Sequence, residues 1–391
     1  MRILFIAPQP FFRVRGTPIN VRNMITALGE AGHQLDLLCY PWGEDVSIPG
    51  VRVIRSPKIP GVSEVGMGPT AGKLPMDFLM FWKAWGLCRK NRYAVIHAVE
   101  ESAFFAVWFK KLFRCKLIYD MDSSISDQLR YSGSLLYRPL IPLAELLERT
   151  AMRNSEFVLT VCRSLSQEVE AASPGTRIVQ IEDAPIEPSF QEDLEGARRL
   201  RQEMNLGDAP IAMYTGNFES YQGVELLLKA MSIVRRARTD VHGVFVGGEP
   251  AQVARMKEIA RSLDILTGCV FTGKRPMGQM TAFMSMASVL VSPRIRGTNT
   301  ALKIYTYMQS GKPIVATKLA THTQVLDDEC AILVQPQPDD VAAGLLRAIK
   351  EPLLAAALGR EAKNRVAARY SLASFKNKVR MAYEELASQQ V

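Results

Sequence analysis

Cysteine is scarce and scattered in this 391-residue chain. Its six cysteines (Cys39, Cys88, Cys115, Cys162, Cys269 and Cys330) lie far apart, with no C-x-x-C pair. That spacing excludes a disulfide scaffold and a zinc knuckle; reduced thiols and a cytoplasmic setting are the expectation. Histidine is scarcer still. The four histidines show no metal spacing, so no metal is expected. No stretch of 18 purely apolar residues occurs, which argues against a spanning helix. Met1 to Pro8 lacks the basic, apolar, small-residue order of an export signal and runs straight into a strand pattern. There is no tandem repeat, Walker loop, dinucleotide fingerprint or serine–histidine–aspartate elbow, and no cofactor is expected. What is present is an ordinary globular mix: 48% hydrophobic and 22% charged residues.

The net charge of +9 is unevenly spread. Residues 51–116 hold twelve Lys or Arg against four acids. Within them, Lys73 to Trp85 reads as a helix with a wide aromatic and methionine face, ending in Arg89, Lys90 and Arg92. A second basic-aromatic stretch follows at Trp108, Phe109, Lys110, Lys111, Phe113, Arg114 and Lys116. Two readings stay open for residues 73–116. One is a core helix with solvated basic ends; the other is peripheral contact with an anionic membrane. No nucleic-acid motif accompanies the charge, so no nucleic-acid partner is expected.

The chain reads twice through one grammar. In the first half, apolar strands at Arg2–Ala7, Gln34–Cys39, Ala94–Ala98, Lys116–Asp120, Phe157–Val161 and Arg177–Ile181 alternate with helical patterns. Residues Pro8 to Gly16 read as a loop, and Ile19 to Gly32 as a helix ending on glycine. A charged connector, Gln191 to Leu206, precedes a restart at Ile211. Strands then follow at Val241–Gly247, Cys269–Thr272, Val289–Ser292, Pro313–Thr317 and Ala331–Val334. Continuous apolar strands between helices imply parallel sheets covered on both faces. The predicted fold class is therefore α/β, with two doubly wound Rossmann-like domains facing a cleft. The expected boundaries are 1–190, 209–370, and a last helix in 371–391 that packs back on the first domain.

The densest polar segment runs from Val291 to Thr317. A strand ends at Ser292, and the next loop carries Arg294, Arg296 and Gly297. Thr298, Asn299 and Thr300 are cap-type residues, predicting a helix from about Ala301 to Ser310. A helix N-terminus flanked by two arginines and Lys303 suits an anion such as a diphosphate. An ordinary capped helix with solvated basic neighbours is the bland alternative.

This segment resembles the family 4 retaining glycosyltransferases of the two-domain GT-B type, and the resemblance runs over nearly the whole chain. Arg15-Gly16 and Gly32-His33 look like the family's glycine-rich first loop and strand lead-in. Tyr214-Thr-Gly-Asn and Gln222-Gly-Val-Glu-Leu-Leu-Leu-Lys-Ala look like the opening of its donor domain. Val246-Gly-Gly-Glu-Pro and Val270-Phe-Thr-Gly-Lys match later landmarks. Tyr307-Met-Gln-Ser-Gly-Lys-Pro-Ile-Val-Ala-Thr is the most specific match. The sequence departs from the family at several places. Thr298 and Thr306 stand where the family carries two glutamates. Asn217 and Gln222 stand near its donor-phosphate arginine and lysine. Asp122 falls at its first-domain histidine.

The resemblance implies a metal-independent transferase with a nucleotide-diphosphate sugar as donor. Its acceptor would be a hydroxyl of a glycan or lipid-linked molecule, in surface polysaccharide or glycolipid synthesis at the cytoplasmic face of a membrane. Donor binding falls to Arg15, Gly16, Gly216, Asn217, Gln222, Gly247, Arg294, Gly297, Thr298, Asn299, Thr300, Lys303 and Thr306. Lys303, Arg296 and Arg294, with the helix N-terminus near Thr300, would neutralise the leaving diphosphate, Lys303 and Arg296 as catalytic residues. Asp122 follows a strand end, where it could orient an acceptor hydroxyl, act as a base or cap a turn; Glu100 is a further acceptor candidate. His33 and His242 read as structural, and His322 is open between a donor contact and a structural role. A non-catalytic sugar- or nucleotide-binding subunit at the membrane is the alternative.

Overall fold

The computed structural model describes residues 1–13, 16–60, 73–131 and 135–388. The chain divides into two compact units: Met1–Asp183 together with Ala373–Val391, and Ala184–Leu372.

The first unit is built on seven strands: β1 (Arg2–Pro10), β2 (Gln34–Tyr40), β3 (Val51–Arg55), β4 (Val95–Val99), β5 (Lys116–Met121), β6 (Phe157–Thr160) and β7 (Ile178–Gln180). Their order is β3-β2-β1-β4-β5-β6-β7, and every pairing is parallel. Residues 8–10, expected in a loop, continue β1. The edge strand β3 was not expected at all. Its polar Arg52 and Arg55 leave it only half-buried, so it lacks the apolar run of a central strand. The order reverses at β1 and β4, and in open α/β sheets ligands bind at the carboxyl ends beside such a switch point.

The second unit has six strands: β8 (Ile211–Thr215), β9 (His242–Val246), β10 (Cys269–Gly273), β11 (Val289–Ser292), β12 (Ile314–Thr317) and β13 (Ile332–Val334). All pair in parallel in the order β10-β9-β8-β11-β12-β13, with the switch at β8 and β11. Alternate residues feed two cores. Ile211 and Met213 pack with Tyr305, Tyr307 and Met308 on one face; Ala212 and Tyr214 pack with Leu227, Leu228 and Met231 on the other.

The last helix, Leu372–Ser388, supplies Phe375, Val379, Ala382, Tyr383 and Leu386 as buried residues of the first unit. It is tied there by Lys376 to Glu30 at 2.7 Å, Lys378 to Glu182, and Lys116 Nζ to the Leu386 carbonyl at 2.7 Å.

Candidate functional site

In the second unit the polar residues gather at the carboxyl ends of β8, β11 and β12. Arg294 is buried. Its Nη1 donates to the Asn299 carbonyl at 2.7 Å and to Thr321 Oγ1 at 2.6 Å, and its guanidinium lies over the Tyr221 ring at 5.2 Å. Thr317 Oγ1 donates to the Arg294 carbonyl at 2.5 Å, and the Ile295 N–H donates to the Tyr221 carbonyl at 2.9 Å. These bonds fix the loop from both sides.

Behind the loop sits His322, fully buried. Its Nδ1 lies 2.7 Å from the Thr317 carbonyl, which can only accept, so Nδ1 carries the proton. Nε2 then accepts from Ser292 Oγ at 2.8 Å. Burial, with Arg294 and Lys303 nearby, lowers the imidazole pKa to about 4. His322 is thus a neutral brace with both nitrogens used, and the structure gives it the structural role.

Lys303 lies in the first turn of the helix Leu302–Ser310. Its ammonium is buried without a hydrogen-bond partner, 3.9 Å from the centre of the Tyr214 ring. Burial and the Arg294 charge push its pKa well below the usual lysine value. No carboxylate among the described residues balances Lys303 or Arg294. Arg294 Nε, Thr300 Oγ1 and Thr306 Oγ1 are also buried without partners. Buried polar groups are normally satisfied, and what this cluster could receive is a group that accepts hydrogen bonds and carries negative charge.

Backbone approaches the cluster closely. Gly216 has φ +136°, and a side chain there would begin 3.1 Å from Lys303 Nζ. A side chain on Gly247 would begin 2.0 Å from the Gly216 carbonyl oxygen, so the ends of β8 and β9 can meet only as glycines.

The first unit gathers carboxylates at its own switch point. Asp122 Oδ1 accepts from Asn20 Nδ2 at 2.8 Å. Burial, reinforced by Asp120, Glu100 and Asp183, holds the Asp122 pKa well above the carboxylate range. Asp120 faces His97 Nε2 at 2.9 Å, and His97 Nδ1 meets the Tyr383 hydroxyl at 2.6 Å. Glu100 has φ +48°, and its carboxylate accepts from Ser123 Oγ at 2.6 Å. Glu101 pairs with Lys73, and Asp77 accepts from the Tyr40 hydroxyl at 2.5 Å. Burial first, then Glu101, raises the Asp77 pKa to about 7.

Two family models match. The one described as glycosyl transferases group 1 covers residues 197–365, and the one described as glycosyl transferase 4-like domain covers residues 15–183. The chain belongs to the GT-B glycosyltransferases of this group 1 and 4-like type. The transferase is 25% identical over 292 residues to the alpha-D-kanosaminyltransferase of Streptomyces kanamyceticus, covering 73% of this chain and 74% of the relative. It is 24% identical over 229 residues to a GDP-mannose-dependent alpha-(1-6)-phosphatidylinositol monomannoside mannosyltransferase of Mycolicibacterium smegmatis, covering 56% and 60%. Among solved structures, sucrose-phosphate synthase from Thermosynechococcus elongatus superposes with a TM-score of 0.81 at 20% identity, covering both chains fully. At that identity the likeness shows the fold.

Within the second unit the transferase brings Gly216, Arg294, Asn299 and Lys303 into one region. Arg296 and Gly16 are exposed, and Arg15 lies outside the described residues. Asn217 and Gln222 take part in the bonding of their loop. The Tyr214 hydroxyl donates to the Asn217 carbonyl at 2.6 Å and lies 3.4 Å from Gln222 Oε1. Gly297, at φ +121°, places its backbone against the Arg294 guanidinium. Thr298 gives its carbonyl to Gln324 Nε2 at 2.9 Å. One local expectation is corrected: Thr298, Asn299 and Thr300 do not cap the helix. It starts at Leu302 with Ala301 as its N-cap and no side-chain cap bond. The segment before the helix is held by tertiary bonds instead, with the Asn299 carbonyl bound by both Arg294 and Thr321. Asn20, Tyr214 and Thr321 were not anticipated. The only sequence signal for Asn20 is a polar residue between Ile19 and Val21 on a buried helical face.

Proposed function

We propose that this transferase moves a sugar, retaining its anomeric configuration, from a nucleotide-diphosphate sugar to a hydroxyl of a glycan or lipid-linked acceptor. The observation that carries this reading is the pair of buried, unbalanced cations Lys303 and Arg294 at the carboxyl ends of β8 and β11. A diphosphate supplies both the charge and the acceptors they lack. As the bond between the sugar and the diphosphate breaks, negative charge grows on the leaving oxygen, and fixed cations in a water-poor setting stabilise that charge most. They act where a metal ion otherwise would, so the reaction is proposed to be metal-independent. Gly216 and Gly247 let backbone approach the phosphates, and the hydroxyls of Thr300 and Thr306 are assigned to the donor.

On the acceptor side, Asp122 would take the proton of the attacking hydroxyl or orient it, held by Asn20, with Glu100 binding a second hydroxyl. One relative's name includes a phosphatidylinositol monomannoside. A lipid-linked acceptor also suits the basic-aromatic stretch 73–116, as does work at the cytoplasmic face of a membrane in polysaccharide or glycolipid synthesis.

Calorimetric titration with a panel of nucleoside diphosphates tests the donor side. One base is expected to bind in the micromolar range, weakened about tenfold or more in Lys303→Ala. No binding by any member would overturn the nucleotide-donor reading. Activity unchanged by a chelator is expected for a metal-independent reaction.

A further inference from the structure

Three helices of the first unit lie side by side. Lys73–Lys90 packs on Ser102–Phe113, which packs on Ile141–Asn154. The first of these carries two distinct faces. Met76, Met80, Ala84 and Cys88 enter the core. Phe81 and Trp85 close the seam to Phe105, Phe109 and Phe113, with ring centres 5.3–5.8 Å apart, within the range of aromatic packing. With the seam already sealed, a further apolar row at i, i+4 and i+8 faces outward: Leu74 (70% exposed), Phe78 (61%) and Trp82 (54%). The second helix adds Trp108 (73%) and Leu112, and the third adds Leu143 and Leu146. Most of the large apolar side chains exposed among the described residues are collected here. Scattered exposed leucines are ordinary, whereas a face of this kind marks a contact surface.

The charges select the occupant. Lys83, Arg89, Lys90, Lys111, Arg114, Arg149 and Arg153 are exposed on or beside these helices, and none makes an ion pair among the described residues. The exposed acid of the third helix, Glu145, is already bound by Arg130 at 2.6 Å. A second copy docking through the same face would set like charges opposite one another. An anionic bilayer takes both components, with headgroups meeting the cations and the acyl boundary meeting the indoles and leucines. No helix among the described residues is long and apolar enough to cross a membrane, so the contact lies in the interface.

We infer that these three helices form a docking face for an anionic lipid surface, and that the acceptor reaches the carboxylates of the first unit from that surface as a lipid-anchored molecule. The first clause stands on the face alone; the second rests on the acceptor side of the proposed function. The helix Lys73–Lys90 links the two. Its first two turns pair Lys73 with Glu101 and Asp77 with Tyr40, while Leu74 and Phe78 of the same turns are exposed. An acceptor headgroup can therefore meet the carboxylates while its tail stays in the bilayer.

The chain has four tryptophans, and Trp82 and Trp108 lie on the proposed face. The test uses the full chain with vesicles of phosphatidylcholine alone or mixed equally with phosphatidylglycerol. Co-flotation is expected with the mixed vesicles, together with a blue shift of tryptophan emission and quenching by brominated lipid. Phe78→Ser combined with Trp108→Ser should abolish flotation while nucleoside diphosphate affinity stays unchanged, which shows that the variant is folded. Lys111→Glu combined with Arg114→Glu should weaken partitioning onto the mixed vesicles roughly thirtyfold or more. Lys303→Ala should float like the parent protein, so loss of the donor site and loss of the lipid face are told apart. Absence of flotation with either vesicle would overturn the docking face. So would concentration-dependent self-association that Phe78→Ser and Trp108→Ser abolish. Equal transfer to tail-less and lipid-anchored acceptors, with flotation intact, would overturn the second clause alone.

Discussion

Lys303 Nζ stands 3.9 Å from the centre of the Tyr214 ring, and that ring is the nearest thing the ammonium has to a counter-charge. A ring face offers a desolvated cation about 2 kcal/mol, well below the desolvation penalty of a buried ion. The lysine is thus held in readiness at the expense of stability, which separates stability from function. Lys303→Met should raise the resistance of the free protein to denaturant by about 1–2 kcal/mol while weakening nucleoside diphosphate binding. Loss of both properties in the variant would argue that Lys303 is a packing residue. Its folded pKa lies below the unfolded value of 10.5, so the unfolded chain binds the extra proton and the free protein should gain stability as pH rises toward 10.5. A bound anion restores the ammonium. Calorimetry in buffers of different ionisation enthalpy should therefore show proton uptake on binding at any pH where the free lysine is partly neutral, and none where it is fully charged.

His322 should make the second unit acid-sensitive. Its imidazole titrates near 4 when folded and near 6.5 when unfolded, so its neutral form is fully accommodated above pH 6.5. As pH falls from 6.5 toward 4, the unfolded chain takes up a proton that the folded chain refuses. Up to about 3 kcal/mol of stability is lost across that window. Urea unfolding at the two ends of the window measures it. His322→Gln should show a flatter dependence, on top of a pH-independent loss of about 1–3 kcal/mol from the Ser292 and Thr317 bonds.

Asp122 should reveal itself in the pH dependence of transfer. As a base it must be ionised, and its pKa is raised, so kcat/KM should climb with pH through that raised value. The hydrogen bond from Asn20 favours the ionised form. Asn20→Ala should therefore move the limb to higher pH with little change in donor affinity. Asp122→Asn should flatten the limb and lower the rate, and an unchanged limb in Asp122→Asn would exclude it as the titrating group.

The two arginines of one loop should behave differently. Arg294 is buried and binds Asn299 and Thr321; Arg296 is exposed on the same loop. Arg294→Ala should weaken nucleoside diphosphate binding about tenfold or more and lower the melting temperature. Arg296→Ala should change binding no more than about twofold, as an exposed surface substitution does. Equal losses in calorimetry would place Arg296 on the ligand after all.

The fold was legible because its central strands are apolar on both faces, which a sheet covered by helices on each side requires and a half-solvated sheet does not. β3 was invisible for the converse reason: Arg52 and Arg55 break the run at the sheet edge. The basic, polar character of the 294–303 loop was also visible, but which cation is buried was not. Arg294 and Arg296 are chemically alike and differ only in what packs around them. The cap-type run Thr298 to Thr300 misled because the segment is held by long-range bonds, such as those of Arg294 and Thr321 to the Asn299 carbonyl, that no local pattern shows. Asn20 and Asp122 meet from 102 residues apart, and no local pattern announces such a pair. On the helix Lys73–Lys90, methionines and aromatics both looked apolar in sequence. Only the packing shows that the methionines went inward while Leu74, Phe78 and Trp82 stayed out.

The last helix of the chain belongs to the unit that the first residues begin, with Tyr383 bonded to His97 and Lys376 to Glu30. During synthesis this inverts the usual order, in which the earlier domain folds first. The second unit has all its residues once Leu372 has left the ribosome, whereas the first must wait for its final helix, with His97 lacking its Tyr383 partner until then. A nascent chain stalled short of residue 373 should therefore display a finished second unit beside an unfinished neighbour, and a coding sequence split at any single point cannot yield both units whole.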